Sequence, residues 1–298
     1  MNDDEIYLAE MFAKLRTWTR GSQRAVHKPL LILYAFGQLQ LGREKLPYKD
    51  IDQPFKKLLK NFGPNSKSYH SEYPFWRLQN DGIWELTNAE KVEARKSNTD
   101  AKKSELLKYR VNGGYNPKIL RILKSKPELL YKIAKELLSA HFPETWHEEI
   151  MGAVGLQFNY GQYDAVKEKR DPKFRSKVLI AYQYKCAVCG SSLQIGDHWP
   201  TLEAAHIKWH QANGPDIESN GLGLCSTHHK LFDRGAFTIN DRNQIIASEE
   251  IHGNGLEEVV LRYHSKLLND PIRKSYVPEL KYKNWHRHEV FRGKGREI

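Results

Sequence analysis

Cysteine and histidine residues fall at metal-ligand spacing in one stretch of the second half of the chain. Cys186 and Cys189 are three positions apart, and Cys225 and His228 repeat that spacing downstream. Two such pairs can close a tetrahedral zinc site. The 298-residue chain has only three cysteines, whereas a disulfide scaffold would need more of them and an even number. Buried, reduced cysteines beside a surface histidine would not account for this register, so the spacing predicts a structural zinc.

A second set of polar residues lies inside that frame. His206 follows the strand-like run 201–205, and Asn220 lies in a loop marked by glycine and proline. His229 directly follows His228 on a helix predicted to begin near Cys225. Neighbouring helix residues point about 100° apart. One histidine can therefore face the zinc while the next faces a different metal.

This arrangement, over about residues 178–242, resembles the HNH endonuclease motif, the ββα-metal fold. The resemblance implies that His206 is the general base that activates water. It implies that Asn220 orients the loop and the scissile phosphate, and that His229 binds a catalytic divalent cation.

The stretch departs from many HNH enzymes at the position just before the general base. An acidic metal ligand is common there, but this chain has Ala205. Glu203 lies on the same strand face, because strand side chains alternate. Glu203, or Asp233 after the helix, is expected to supply the missing ligand.

The elements that must position these residues are predicted from hydrophobic period and from start and stop signals. In the first half, helices are predicted over 3–18, from His27 to the stop at Gly42, and over 50–62, 100–110 and 117–140, the last broken at Pro127. Alternating residues 75–79 and 83–86 around an Asp-Gly turn predict a β-hairpin.

The second half is predicted to hold a helix over 174–184 and a hairpin that pairs 236–239 with 244–247. The tail, residues 281–296, alternates basic residues with aromatics. It is interpreted either as a contact for the DNA backbone or as a solvated C-terminus.

The predicted fold class is α+β, with a mostly helical N-terminal domain that carries a small β-hairpin and a zinc-stabilised ββα-metal HNH domain. The predicted boundaries are 1–157 for the first domain, 158–177 for a charged linker and the start of the nuclease, and 178–298 for the nuclease domain with its basic tail. The chain is long enough for two domains.

Three runs in the first half, HKPLLILYAFG, YPFWRLQNDGIWEL and SAHFPETWHEEI, resemble the sulfur-binding domain of phosphorothioate-dependent restriction endonucleases. The resemblance covers about residues 5–157, and those enzymes join such a domain to a C-terminal HNH nuclease. It implies that a phosphorothioate sulfur sits in a shallow apolar pocket made by a Tyr-Pro step and by arginine stems.

The residues suit such a pocket physically. Sulfur is larger and less strongly hydrated than the oxygen it replaces, so ring and methylene surface tolerates it better than a charged oxygen. Tyr73-Pro74 offers that surface, and Arg24 can lay its stem on the pocket and its guanidinium on phosphate. His27 and Arg77 are further candidates, although a smaller side chain is expected at position 77.

Structural interpretations of the same residues stay open. Tyr73 and its aromatic neighbours can pack against the core helix, and His27 can cap a helix start. Arg110 with Gly113-Gly114 can form a phosphate-contacting loop, because glycine lets backbone N–H groups approach an anion. The same residues can equally form a turn between two helices.

The charge balance favours a polyanionic partner. The net charge is +11 and the pI near 9.3, which suits nucleic acid and says little about fold. No apolar run approaches a membrane span, and the acidic N-terminus is unlike a signal peptide. Reduced cysteines as metal ligands favour the cytoplasm.

The predicted function is a type IV-like restriction endonuclease that reads phosphorothioate-modified double-stranded DNA and cuts nearby. Zn²⁺ would hold the frame, and Mg²⁺, Mn²⁺ or a similar cation would serve catalysis. Two alternatives stay open: a nuclease that reads methylated or hydroxymethylated cytosine, and a zinc-stabilised DNA-binding protein without catalysis. The sequence leaves the oligomeric state open, with a homodimer as one option.

Overall fold

A computed structural model describes residues 3–16, 26–93, 95, 100–157 and 173–297. The chain divides into two compact units, Met1–Val166 and Lys167–Ile298. The predicted pocket residue Arg24 and most of the predicted linker lie outside the described residues. The fold class is α+β, as predicted.

The first unit is mostly helical. Its helices are α1 (Asp3–Ala13), α2 (His27–Gln40), α3 (Tyr48–Phe62), α4 (Glu72–Arg77), α5 (Lys103–Lys108), α6 (Pro117–Ser125), α7 (Pro127–His141) and α8 (Glu144–Val154). Three short strands accompany them: β1 (Leu46–Pro47), β2 (Trp84–Thr87) and β3 (Asn112–Tyr115).

Helix α2 forms the centre of this unit, as its nearly all-round apolar sequence predicts. It packs against α3, α4, α7 and α8, and its aliphatic residues from Leu30 to Leu33 are fully buried. A Cβ on Gly37 would lie 1.9 Å from the main-chain oxygen of Val154, so glycine permits the close approach of α8. The chain leaves the helix at Gly42, whose φ of 77° favours glycine.

The predicted hairpin between 75–79 and 83–86 is wrong. Residues 72–77 form α4 and only the second segment is a strand, β2, which pairs antiparallel with the distant β3. Strand β3 is the centre of a three-stranded sheet in the order β1-β3-β2. The Asp-Gly turn is real, with Gly82 at φ 71°, but it joins a helical segment to a strand.

The structure around Gly113 and Gly114 differs from both predictions for this segment, a phosphate-contacting loop and a turn between two helices. They are buried in β3, and a Cβ on Gly113 would lie 2.4 Å from the ring of Trp84. A Cβ on Gly114 would lie 2.6 Å from the main-chain oxygen of Glu44. The glycines therefore serve close packing of the sheet, and Arg110 is exposed just before the strand.

The second unit holds the nuclease-like sequence. Its helices are α9 (Phe174–Ala181), α10 (Ser226–Asp233), α11 (Leu256–Val259) and α12 (Leu280–Glu289). Its strands are β4 (Leu202–His206), β5 (Gly221–Cys225), β6 (Phe237–Ile239) and β7 (Ile245–Ala247). The predicted hairpin of β6 and β7 is confirmed.

The antiparallel pair β4–β5, with α9 and α10 packed on it, positions the chemistry. Leu202 lies opposite Cys225 at one end, and His206 lies opposite Gly221 at the other. A Cβ on Gly221 would lie 2.4 Å from a methyl of Val178, so this glycine lets α9 lie close to the strands. The zinc ligand Cys225 and the predicted general base His206 therefore lie at opposite ends of this strand pair.

The interpretation of the tail as a solvated C-terminus is wrong, because residues 280–289 form α12 and its aromatic face is buried. Trp285 is 4% exposed and meets Trp209 edge-on at 5.6 Å between ring centroids. His286 stacks on Phe232 of α10 at 3.8 Å. Helix α12 thus supports the helix that carries the histidine pair.

Among the residues described, the structure contains no helix with the length and apolar character required to cross a bilayer.

Candidate active site and metal centre

The four predicted zinc ligands converge. The Sγ atoms of Cys186, Cys189 and Cys225 and a ring nitrogen of His228 all lie within 4.8 Å of one another. The Nδ1 atom of His228 is 3.1 Å from the sulfur of Cys225 and 3.5 Å from that of Cys186. Tetrahedral zinc places sulfur about 2.3 Å and nitrogen about 2.0–2.1 Å from the ion, so these separations suit one shared metal.

The electrostatics of the ligand group also suit a cation. Hydrogen bonds, first from Cys189 and then from Cys225, hold the pKa of the Cys186 thiol below its ordinary range despite burial, and the pKa of Cys189 is raised in turn, so the pair shares one thiolate. Thiolate is the form that ligates metal. Among the described residues this is the one cluster of three or more such groups close enough to share an ion.

The histidine pair on α10 diverges as predicted. His228 turns to the thiols, and His229 lies between two carboxylates. Its Nδ1 is 2.5 Å from Glu203 Oε2, and its Nε2 is 3.3 Å from Asp233 Oδ2. The structure thus brings together His229 and both predicted acidic partners, on opposite edges of the ring.

The two carboxylates around His229 have different surroundings. The Glu203 side chain is 38% exposed and also accepts a hydrogen bond from the Ser226 hydroxyl. The hydrogen bond from His229 outweighs the effect of burial and lowers the pKa of Glu203. The Asp233 side chain is 3% exposed and accepts from the indole Nε1 of Trp209 at 3.2 Å. A ligand that enters from solvent can reach Glu203 far more easily than Asp233.

The predicted general base, His206, is held on two sides. Its Nε2 donates to Asp216 Oδ1 at 2.7 Å, and its ring stacks on Phe174 with centroids 3.9 Å apart and planes inclined by 14°. Sequence reasoning missed Asp216, which lies ten positions downstream in a loop and belongs to no motif. Only the folded loop brings it to the histidine.

Asn220 is fully buried, and its amide binds main-chain atoms. Oδ1 accepts from the N–H of Lys208, while Nδ2 donates to the carbonyl oxygens of Lys208 and Pro215. These contacts close the loop between β4 and β5. Asn220 therefore fixes the shape of this loop, and its action on the scissile phosphate stays a prediction.

In the first unit, one histidine and two arginine side chains surround the ring of Tyr73. Its half-buried ring stacks on His70 at 4.8 Å, and the guanidinium carbons of Arg77 and Arg95 lie 5.1 Å and 5.2 Å from its centroid. Asp100 holds the guanidinium of Arg77 through Nε and Nη2. The unexpectedly large residue at position 77 thus frames the tyrosine.

Other predicted pocket residues are less accessible or lie elsewhere. Pro74 is buried beside Tyr73, so it offers little surface to a ligand in this structure. His27 is half-buried at the first position of α2, and no side-chain cap bonds the start of that helix. Helices α2 and α4 pack together, which places His27 and Tyr73 on neighbouring elements.

The family comparisons agree with this two-part architecture. The profile of the ScoMcrA-like, DNA sulfur-binding domain family matches residues 6–159, and that of the HNH endonuclease family matches residues 186–240. The chain therefore belongs to the family of proteins with a ScoMcrA-like DNA sulfur-binding domain. Residues 186–240 make it an HNH-type endonuclease, a hydrolase of DNA.

Three solved structures are similar to parts of the chain. The sulfur-binding domain of ScoMcrA complexed with phosphorothioated DNA is 22% identical, with 49% of this chain and 94% of that chain covered and a TM-score of 0.43. The sulfur-binding domain of SprMcrA complexed with phosphorothioated DNA is 19% identical, with coverage of 52% and 95% and a TM-score of 0.43.

The modification-dependent TagI restriction endonuclease is 28% identical, with 41% of this chain and 39% of that chain covered and a TM-score of 0.30. All three TM-scores are below 0.5, so the family profiles carry the assignment. No curated protein matches the chain.

Proposed function

We propose that this chain is a restriction endonuclease that recognises phosphorothioate-modified double-stranded DNA with its first unit and hydrolyses phosphodiester bonds nearby with its second. The observation that carries the proposal is the presence, in one chain, of a DNA sulfur-binding family match and an HNH endonuclease match. The net charge of +11 suits binding of the DNA backbone.

Recognition is assigned to the surface around Tyr73. Its ring supplies weakly hydrated surface for sulfur, and a charged oxygen would lose hydration there. Arg77 and Arg95 flank the ring, and their side chains are 43% and 30% exposed. Arg24 and His27 are proposed to contact the flanking phosphate and bases. Arg110 is proposed to contact a phosphate farther from the sulfur.

The frame of the nuclease is assigned to zinc. Three thiols and one imidazole form the donor set that proteins use for structural Zn²⁺, and no position is left open for a substrate. The donor atoms come from the turn after α9, the end of β5 and helix α10. The ion would therefore fasten α9 and α10 to the hairpin that carries His206.

A second divalent cation is assigned to His229 and Glu203. The solvent-facing edge of the ring is the one beside Glu203, and a cation that meets DNA must be reachable from solvent. Asp233, held by Trp209, would then keep the opposite ring nitrogen protonated and fix the ring orientation. Few protein ligands and a carboxylate oxygen suit Mg²⁺ or Mn²⁺.

The proposed reaction is hydrolysis by an activated water. Neutral His206 accepts a proton from water, the water oxygen bonds to phosphorus, and the bond from phosphorus to the 3′ oxygen breaks. The leaving oxygen takes a proton from solvent. When bound, the cation at His229 would offset the negative charge that gathers on the phosphate and the leaving oxygen.

The test uses purified full-length chain and matched duplexes that differ only in one sulfur per modified strand. With Mn²⁺ present, we expect cleavage of the phosphorothioate duplex and little of the oxygen duplex. His206→Ala should bind the modified duplex like wild type and leave it uncut. Equal cleavage of both duplexes would contradict sulfur recognition, and preferential cleavage of a methylated duplex would indicate another mark.

A further inference from the structure

We propose that Asp216 is the positioning residue of the general base His206, and that it is delivered to that base by the loop that Asn220 holds. The inference rests on the proposed function, in which His206 takes the proton. It deepens that function, because it assigns a role to a carboxylate outside the HNH motif and a physical path to the buried asparagine.

Two close contacts fix the His206 ring from perpendicular directions, and the titratable ring of His210 lies 6.1 Å away, inclined by 58°. The 2.7 Å hydrogen bond to Asp216 lies at the ring edge, and the stack on Phe174 covers one face. A hydrogen bond at the edge sets the rotation of the ring, and a flat stack sets its tilt. His206 is only 9% exposed, so its orientation is determined by the protein.

The contact with Asp216 also sets the tautomer. An ionised carboxylate only accepts hydrogen bonds, so Nε2 carries the hydrogen and the neutral ring holds its lone pair on Nδ1. Nδ1 is then the atom that takes a proton from water. After that transfer, the same carboxylate stabilises the imidazolium through a charge-assisted bond.

Asn220 acts one residue away from that carboxylate. Its Nδ2 donates to the carbonyl oxygen of Pro215 at 3.0 Å, and Pro215 immediately precedes Asp216. Its other two bonds, at 2.8 Å and 3.0 Å, hold both polar main-chain groups of Lys208. An aspartate at 220 could accept from Lys208 but could not donate to either carbonyl, so the clamp requires an amide.

Gly214 shows how tightly the loop is closed. A Cβ at this position would lie 1.7 Å from the Lys208 oxygen and 2.9 Å from Asn220 Nδ2. Only glycine admits the approach of the two ends of the loop. The sequence Gly214-Pro215-Asp216 therefore delivers the carboxylate to His206 along a path that Asn220 secures.

The first experiment compares Asp216→Asn with the full-length wild type in single-turnover cleavage across a pH series at saturating Mn²⁺. The asparagine amide can either accept a hydrogen bond from the ring through its oxygen or donate one through its nitrogen, so the tautomer is no longer fixed. We expect a loss of roughly 100-fold or more in rate, as for other histidine bases deprived of their carboxylate. The acid limb of the profile should move to lower pH, because the imidazolium has lost its partner.

The matched control is Asp197→Asn, which removes the same charge from an exposed position in the same unit. It should cut like wild type. Wild-type rate and an unshifted profile for Asp216→Asn would overturn the proposal. A rate loss without a shift of the acid limb would also overturn it, because a merely structural role would give that result.

The role of Asn220 is tested by a double-mutant cycle. If Asn220 acts through Asp216, the pair Asn220→Asp and Asp216→Asn should cut no more slowly than the slower single variant. If the loss of cleavage rate in the double variant equals the product of the two single losses, the coupling is overturned. If Asn220→Asp fails to fold, Asn220→Ser keeps one hydroxyl donor for the loop and enters the same cycle.

An independent measurement reads the ring itself. Nitrogen-15 chemical shifts of His206 in the full-length chain should show the Nε2–H tautomer, and Asp216→Asn should lose that preference. An Nδ1–H form in the wild type would overturn the proposal. A wild type that cuts no DNA but shows the Nε2–H form would overturn the proposed nuclease function while the positioning by Asp216 stands.

Discussion

The Nε2 atom of His228 lies 2.9 Å from the main-chain oxygen of Val259, at the end of α11. A carbonyl can only accept, so Nε2 donates and Nδ1 is directed to the thiols of Cys186 and Cys225. The ligand geometry is therefore set by an element well outside the ligand motif.

Loss of one thiol should empty the zinc site and unfold the second unit. Cys189→Ser is expected to abolish bound zinc and to lower the free energy of unfolding of this unit by about 3 kcal/mol or more, because zinc binding is coupled to folding and is worth roughly 10–16 kcal/mol in small sites. Elemental analysis and calorimetry measure the two effects. Ser192→Ala, exposed in the same turn, is the control, and a wild type without zinc would contradict the assignment.

The metal site could be predicted from sequence because its chemistry is local. Ligand pairs three residues apart on tight turns are typical of zinc sites, and adjacent histidines on a helix must diverge. Asp216 could not be predicted in this way, since its contact with His206, ten positions upstream, depends on how the loop between β4 and β5 closes. The contact of His228 with Val259 uses a main-chain carbonyl, so no side chain in the sequence could indicate it.

The fold was predictable where hydrophobic period and stop signals coincide. Helix α2 begins and ends close to the predicted residues because Pro29 and Gly42 mark its limits. The prediction of a hairpin failed for two reasons. The aromatic run after Tyr73 suits a short helix as well as a strand. The true partner of β2 is β3, about 28 residues away along the chain, with the register running from Trp84↔Tyr115 to Thr87↔Asn112. Pairing at that distance leaves no periodic signal.

The two carboxylates beside His229 should differ in their effect on metal dependence. Glu203→Gln removes a proposed ligand and should raise the Mn²⁺ concentration for half-maximal cleavage by roughly 100-fold or more, while Asp233→Asn should raise it by about 10–100-fold through the orientation of the ring. A metal titration of single-turnover cleavage measures both. Glu258→Gln, exposed in the same unit, is the control. If neither change alters the titration, another residue completes the site.

A buried carboxylate in the first unit should make stability depend on acid. Burial would raise the pKa of Asp52, but hydrogen bonds from Lys103, Ser71 and Lys56 outweigh it and lower the pKa to about 2 from the ordinary 3.8. A depressed pKa stabilises the fold fully above the ordinary value, and that contribution is lost as pH falls towards 2.

Asp52→Asn should therefore lower the free energy of unfolding of the first unit by about 1–3 kcal/mol at pH 7, as expected for hydrogen bonds to a charged group. The difference from wild type should shrink as pH falls from 4 to 2. Hydrogen exchange of α3 and α4 follows the local stability. Asp50→Asn, exposed on the same helix, should behave like wild type. A difference that is constant with pH would contradict the ionic origin.

Sulfur preference and backbone affinity should separate in a salt series. Binding is measured in the His206→Ala background, which keeps the duplex intact. Tyr73→Ala should erode the preference for the phosphorothioate duplex with little change in salt slope, because its ring offers apolar surface and carries no charge. Arg24→Ala should weaken binding of both duplexes and reduce the slope by about 0.9 if it neutralises one phosphate.

Tyr69→Ala is the matched control for loss of a tyrosine ring four residues away, and it should keep the preference for sulfur. The buried position of Pro74 gives a further expectation: Pro74→Ala should act on preference only by displacing Tyr73. A Tyr73→Ala chain that still discriminates between the two duplexes at every salt concentration would contradict the assigned surface. Sulfur would then be read by residues outside the cluster around Tyr73, and the HNH assignment would stand unchanged.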